Sequence, residues 1–162
     1  MYLNALEFLD EEREAWRPFE ALPSLSDEDL ARPCGVAHGW SGRDLMGHLL
    51  AWLENALAAA RELAVGEESA TIARSDAEWD SRGGEVVNAE LLERYRALPL
   101  DDLRARYASV PGELRGTLTV VPEARWVKHP DHMRWLMDET IDHYADHDVD
   151  LRAILAQAGS VG

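Results

Sequence analysis

Apolar residues recur at three- and four-residue intervals along most of the chain, and segments that alternate apolar with polar are almost absent, a pattern that predicts helices and no sheet. The first helix is expected from about Tyr2 to Ala21, burying Leu3, Leu6, Leu9, Ala15 and Phe19, with Pro18 as a kink and Pro23 as its end. A connecting segment, Ser24 to Trp40, follows, with one short turn at Asp27 to Leu30 and a break at Pro33-Cys34-Gly35. The second helix has the clearest start: Ser41 and Asp44 form a capping-box pair, the apolar run begins at once, and it continues to about Val65 before Gly66. A polar connection, Glu67 to Ser75, leads to a third helix at about Asp76 to Ala97, weakened by Gly83-Gly84 and closed by Pro99. The fourth helix, about Asp101 to Leu118, is interrupted by Pro111-Gly112. A loop from Val120 to Pro130 precedes the last helix, Asp131 to about Gln157, which ends at Gly159. The β-prone run at Thr117 to Val121 is too isolated to make a sheet and reads as a helix end. Helices with connections of these lengths predict an all-α four-helix bundle with a long crossover, a single domain over residues 1–162.

Charge and composition narrow the partners. Asp and Glu number 31 against 16 Lys and Arg, a formal net charge of −15, so the summed field repels polyanions and argues against nucleic acid. No run of about 18 apolar residues suggests a membrane span, and no basic-then-apolar leader follows Met1. Lys128 is the only lysine, which argues against Schiff-base chemistry, and the only cysteine, Cys34, cannot form an internal disulfide. Together these features predict a cytoplasmic protein.

The chemistry concentrates in the last helix. At roughly 100° per residue from Leu136, the residues Thr140, His143, His147, Leu151 and Ile154 fall within about 60° of one direction, which puts two histidines inside the apolar stripe. Their four-residue spacing lets two imidazoles converge on one ion. Glu139 and Asp150 lie at the edges of the stripe as candidates for orienting a ligand or moving a proton, and Asp142, Asp146 and Asp148 are expected to point elsewhere. A third ligand is available on the second helix, where His48 lies at the edge of the face formed by Leu45, Leu49, Trp52, Ala56 and Leu63. His38, His129 and His132 fall in loops or at a helix start and rank lower. The metalloprotease pattern is absent, since Tyr144 follows His143 where that pattern needs a glutamate. Trp52, Trp135 and Trp79 are candidate walls for a ligand, although tryptophans at this spacing also suit a core. Arg43 and Arg134 are candidate partners for an anionic substrate, and Tyr144 could reach a pocket edge or a subunit interface.

The segment Gly39-Trp40-Ser41-Gly42-Arg43-Asp44-Leu45-Met46-Gly47-His48-Leu49-Leu50-Ala51-Trp52 resembles the W-S-x-x-D-x-x-x-H-L-x-x-W helix of the DinB-like (YfiT-like) metalloenzymes. The segment Asp142 to Leu151 resembles their final ligand helix, especially the H-Y-x-x-H form in relatives of the colibactin-resistance protein. It is also similar to the corresponding helix of mycothiol-dependent maleylpyruvate isomerases. The resemblance implies a bundle with up-down-down-up topology and a divalent ion, commonly zinc or nickel, on His48, His143 and His147. It further implies a homodimer, and chemistry ranging from isomerisation to transfer of a low-molecular-weight thiol such as mycothiol or bacillithiol. In the isomerase branch the first of the two last-helix ligands is a carboxylate, and His143 departs from that pattern.

Three neutral imidazoles would leave the full charge on an ion, a Lewis acid able to activate water or hold a thiolate. The expected function is therefore a metal-dependent hydrolase or thiol transferase acting on a small electrophile, of detoxification or resistance type. The alternatives are a non-catalytic bundle that binds or sequesters a small molecule without metal, and a structural helical protein with buried neutral histidines.

Overall fold

Ser41 caps the longest helix as its sequence requires: its side chain accepts from the Asp44 backbone N–H at 3.2 Å, and Asp44 accepts in return from the Ser41 N–H at 3.0 Å. The computed structural model describes residues 2–160, and among them the chain is all-helical with no strand. The main helices are α1 (Ala5–Trp16), α2 (Asp27–Ala31), α3 (Gly42–Val65), α4 (Ala70–Arg82), α5 (Gly84–Arg96), α6 (Leu100–Leu118), α7 (Pro130–Glu139) and α8 (Ile141–Gly159). Short 3-10 segments run at Arg17–Ser24 and Glu123–Arg125. Among the described residues no helix is long and apolar enough to cross a membrane.

The centre of the molecule is α3. It buries residues on every side, from Leu45, Met46 and Leu49 to Leu57, Ala60 and Leu63, and packs most extensively against α6 and α5, with α4, α7 and α8 also against it. A helix apolar over most of its circumference belongs inside the protein. Gly47 permits the close approach of α5, where an added Cβ would meet Tyr95 Cβ at 3.0 Å.

Four helices differ from the expected boundaries, each for a local reason. The first begins only at Ala5, because Asn4 caps it by accepting from the Glu7 N–H. Its buried stripe is Phe8, Leu9, Glu12 and Trp16, while Leu3 and Leu6, expected in the core, are 76% and 67% exposed. Pro18, which lacks the N–H an α-helix needs, instead opens the 3-10 segment. The third expected helix is two. Ser69 caps α4 by accepting from the Ile72 N–H, so helix begins inside the expected polar connection, and Gly83 at φ 82° breaks it from α5. By contrast α6 continues through Pro111, which with Tyr107 and Leu114 is buried in the packed side of the helix. That packing outweighs a proline penalty of about 3 kcal/mol. The last helix is broken at Thr140 (φ −125°, ψ −93°), whose hydroxyl donates to the Leu136 carbonyl at 2.6 Å and takes over part of the helix end.

Candidate metal centre

Two turns of α8 and one of α3 meet across the interior. His143 and His147 stand one turn apart on α8, His48 faces them from α3, and one ring nitrogen of each lies within 4.8 Å of the others. The Nε2 atoms of His48 and His143 are 2.9 Å apart. Trp40, immediately before the cap of α3, leans on two of the rings, with centroids 4.9 Å from His48 and 5.8 Å from His147.

Electrostatics keep His48 and His143 neutral. Burial pushes His48 far below the ordinary histidine range, and His143 and His147 add to the shift. Burial does the same at His143, with His147 adding to it and the Glu139 carbonyl partly opposing it. Neutral imidazole is the form that offers a lone pair to a metal. The remaining partners suit the same use: His147 shares a proton through Nδ1 with Asp150 Oδ2 at 2.8 Å, which leaves its Nε2 free. Asp150 is itself 4% exposed, and the Nε2 of His38 lies 3.7 Å from its other oxygen. His48 Nδ1 is buried without a hydrogen-bond partner, so nothing on that side ties the ring back from the centre. Three imidazole nitrogens with one ring oriented by a carboxylate fit a divalent ion of the zinc or nickel type.

The cluster floors a cavity of about 490 Å³. Trp52, Trp79 and Trp135 form its apolar side. Trp52 is held by its indole N–H, which donates to Asn88 Oδ1 at 3.0 Å, and Trp79 meets it edge-on at 5.8 Å. The Trp79 ring lies against Gly84, where a Cβ would come within 2.4 Å of it, so glycine at that position sets the ring's place at the mouth. Asp138, Glu139, Asp142 and Asp146 form the acidic rim.

Several expected positions therefore meet at one place: His48, His143, His147, Glu139, Trp52 and Trp135, with Asp150 behind His147. Two substrate-contact candidates do not. Tyr144 is 1% exposed on the other side of α8, packed on Trp16 and Phe19 and donating to Glu12 Oε1 at 2.9 Å. A position about 100° from the histidine next to it faces α1 rather than the cavity. Arg43 donates to the carbonyls of Arg96 and Leu98, at 3.1 and 2.5 Å, and ties α3 to the end of α5. Asp142 and Asp146, expected to point elsewhere, line the cavity, because its mouth is wider than the stripe that the histidines define. Trp40 and Asn88 carried no signal of their own in the spacing, since their neighbours come from other helices. His132 serves α7, its Nδ1 2.7 Å from the Arg125 carbonyl, and Cys34 is buried.

Glu139 is pushed up to about 8 by burial, with Asp138 and Asp76 adding to the shift. An unfolded chain releases this proton near the ordinary value of 4.5, so between these two values the folded state holds the extra proton and its stability falls as pH rises. In metal-free protein the fall should be on the order of 2 kcal/mol between about pH 5 and 8, allowing for solvent in the cavity. Denaturant unfolding across that range should show the decline in the wild type and a flatter profile in Glu139→Gln. An identical slope in both would place the titrating proton on another group.

Comparison with known proteins gives one family. The family model described as mycothiol maleylpyruvate isomerase N-terminal domain matches residues 9–157. No curated protein and no solved structure matches the chain.

Proposed function

Because the chain belongs to the mycothiol maleylpyruvate isomerase N-terminal domain family, we propose that it is a divalent-metal-dependent enzyme of the DinB-like type. It joins a low-molecular-weight thiol, mycothiol or bacillithiol, to a small electrophile, or else hydrolyses that electrophile. The observation that carries the reading is the convergence of His48, His143 and His147 at the base of an open cavity. We take α1, α3, α6 and the α7–α8 pair as the four legs of the up-down-down-up bundle, with α4 and α5 in the crossover, and the working protein as a cytoplasmic homodimer.

A divalent ion on three neutral imidazoles supplies a Lewis acid that favours the deprotonated form of a thiol or water at neutral pH. The chain's own groups do the rest. Asp150 accepts the Nδ1 proton of His147 and so fixes that ring's tautomer and direction. Glu139, held protonated by burial in the metal-free protein, places a carboxyl group on the cavity wall where it can pass a proton to or from the electrophile. Trp52, Trp79 and Trp135 exclude water from one side and offer a face to an apolar or planar group.

A second reading, a bundle that sequesters a small molecule without metal, is favoured by the 2.9 Å contact between the His48 and His143 rings, which pairs them directly. Elemental analysis of protein purified without an affinity tag or added metal separates the two. About one zinc or nickel per chain, removed by a chelator together with thiol-transfer or hydrolytic turnover, is the expected result. Protein without metal that takes none up on titration would leave the sequestering reading in its place.

A further inference from the structure

Arginines in this chain characteristically sit against carboxylates: Arg32, Arg96, Arg104, Arg106, Arg115 and Arg125 each reach one within about 3 Å. That is the expected outcome at a net charge of −15, where acids are in surplus. Arg74 on α4 and Arg94 on α5 are exceptions. Among the described residues neither has an ion-pair or hydrogen-bond partner; both are exposed, and both line one cavity of about 280 Å³. This second cavity lies beside the histidine chamber, and Trp52 and Ser75 belong to the walls of both.

Its remaining charges do not cancel the two guanidinium groups. The lining carries Arg74, Arg82 and Arg94 against Glu78 and Glu90; Arg82 is bonded to Glu90 and also feels Glu78, while Glu62 acts on Arg74 from outside the cavity. Two like charges brought to one cavity from separate helices, though screened by solvent, both attract an anion that enters between them. The guanidinium fork matches the geometry of a carboxylate or phosphate. The half-buried side chains of Asn55 and Ser75 add neutral hydrogen-bonding groups on the same walls. The neighbouring chamber has the opposite character, with Asp138, Asp142 and Asp146 around its mouth. An anionic group is repelled from that rim and attracted to the arginine side, so the two chambers together set the direction in which an elongated, singly ended anion lies.

We propose that the cavity between α4 and α5 is a subsite for an oxyanion, carboxylate or phosphate, carried by the molecule whose reactive end occupies the histidine chamber. The spanning arrangement rests on the metal-centre reading, whereas the anion site rests on Arg74 and Arg94 alone.

The test is titration of the purified protein with succinate and with inorganic phosphate, followed by calorimetry and by the fluorescence of the shared wall at Trp52. Saturable binding is expected, weakened about tenfold or more in Arg74→Gln and in Arg94→Gln and strengthened in Glu78→Gln, which removes the opposing charge. The tighter of the two probes identifies the arm as carboxylate or phosphate. His143→Ala should keep the binding. Equal affinity in the wild type and both arginine variants overturns the proposal, and so does loss of binding in His143→Ala, which would put the anion in the histidine chamber. Wild-type protein that holds no metal but keeps arginine-dependent anion binding would instead remove the metal reading and leave the subsite standing.

Discussion

Replacing His143 by alanine is expected to lower the affinity for zinc or nickel by at least about 100-fold, the upper end of what loss of a mere orienting partner does. The reason lies in the number of donors. Three imidazoles are the minimum set of an open catalytic site, and without His143 only His48 and His147 remain, on different helices. His48→Ala should do the same from the other side. Asp150→Asn, which leaves all three rings in place but takes the negative charge from the acceptor of the His147 Nδ1 proton, should weaken binding less, by roughly 10- to 100-fold. The stabilisation conferred by the ion should disappear with it, about 2.7 kcal/mol for metal present at 100 times its dissociation constant. Metal titration by calorimetry, with thermal unfolding in parallel, reads both effects. Undiminished binding in His143→Ala would show that the ion, if any, lies elsewhere.

Arg115→Met should cost about 3 to 5 kcal/mol, the largest effect on stability from a single change away from the histidines. Glu12, on α1, is 1% exposed and carries its charge in the core between two donors: Arg115 of α6 at 2.9 Å and the Tyr144 hydroxyl of α8 at 2.9 Å. Methionine can fill much of the space of the arginine stem, but it leaves a buried carboxylate with one neutral donor. Glu12→Gln in the same background should recover a substantial part of the loss, because a neutral amide needs no counter-charge. Denaturant unfolding of the two variants decides it. A change under about 1 kcal/mol in Arg115→Met would mean that solvent, rather than the arginine, balances Glu12. The same network sits one residue from His143 and anchors the far side of α8, so its loss should also lower metal affinity modestly, without touching a ligand.

The lengths of chain that could be read in the sequence are those whose determinants lie within a turn or two of each other. Ser41 and Asp44 cap α3 through bonds between residues three apart, whereas the full break between α4 and α5, read from the sequence only as a weak point in one helix, comes from the positive φ of Gly83. The spacing of His143 and His147 sets their shared face on α8 for the same reason. Where a local rule competes with packing the outcome depends on the neighbour. Pro111 does not interrupt α6 because a buried face holds the helix together, whereas Thr140 does interrupt the last helix because its hydroxyl takes the Leu136 carbonyl. Leu3 and Leu6 satisfy the helical spacing and remain in water, since no element packs over that face of α1.

Fold class, the caps of α3, the pairing of two histidines one turn apart and the acidity that disfavours polyanions are properties of neighbouring residues or of simple counts, and the amino-acid sequence by itself determines them. The third histidine, His48, is a candidate ligand from its face on α3 and from the family resemblance, but its meeting with the other two is different in kind. His48 lies 95 positions from His143, and only the packing of α8 against α3 brings the rings together. The same packing turns Tyr144 away to Glu12, ties Arg43 to the end of α5 and places Arg74 and Arg94 on the lining of one cavity with no ion-pair or hydrogen-bond partner among the described residues. A side chain's partners across the core are set by which helix faces meet, and that is decided by the burial of all the apolar faces at once rather than by any local pattern.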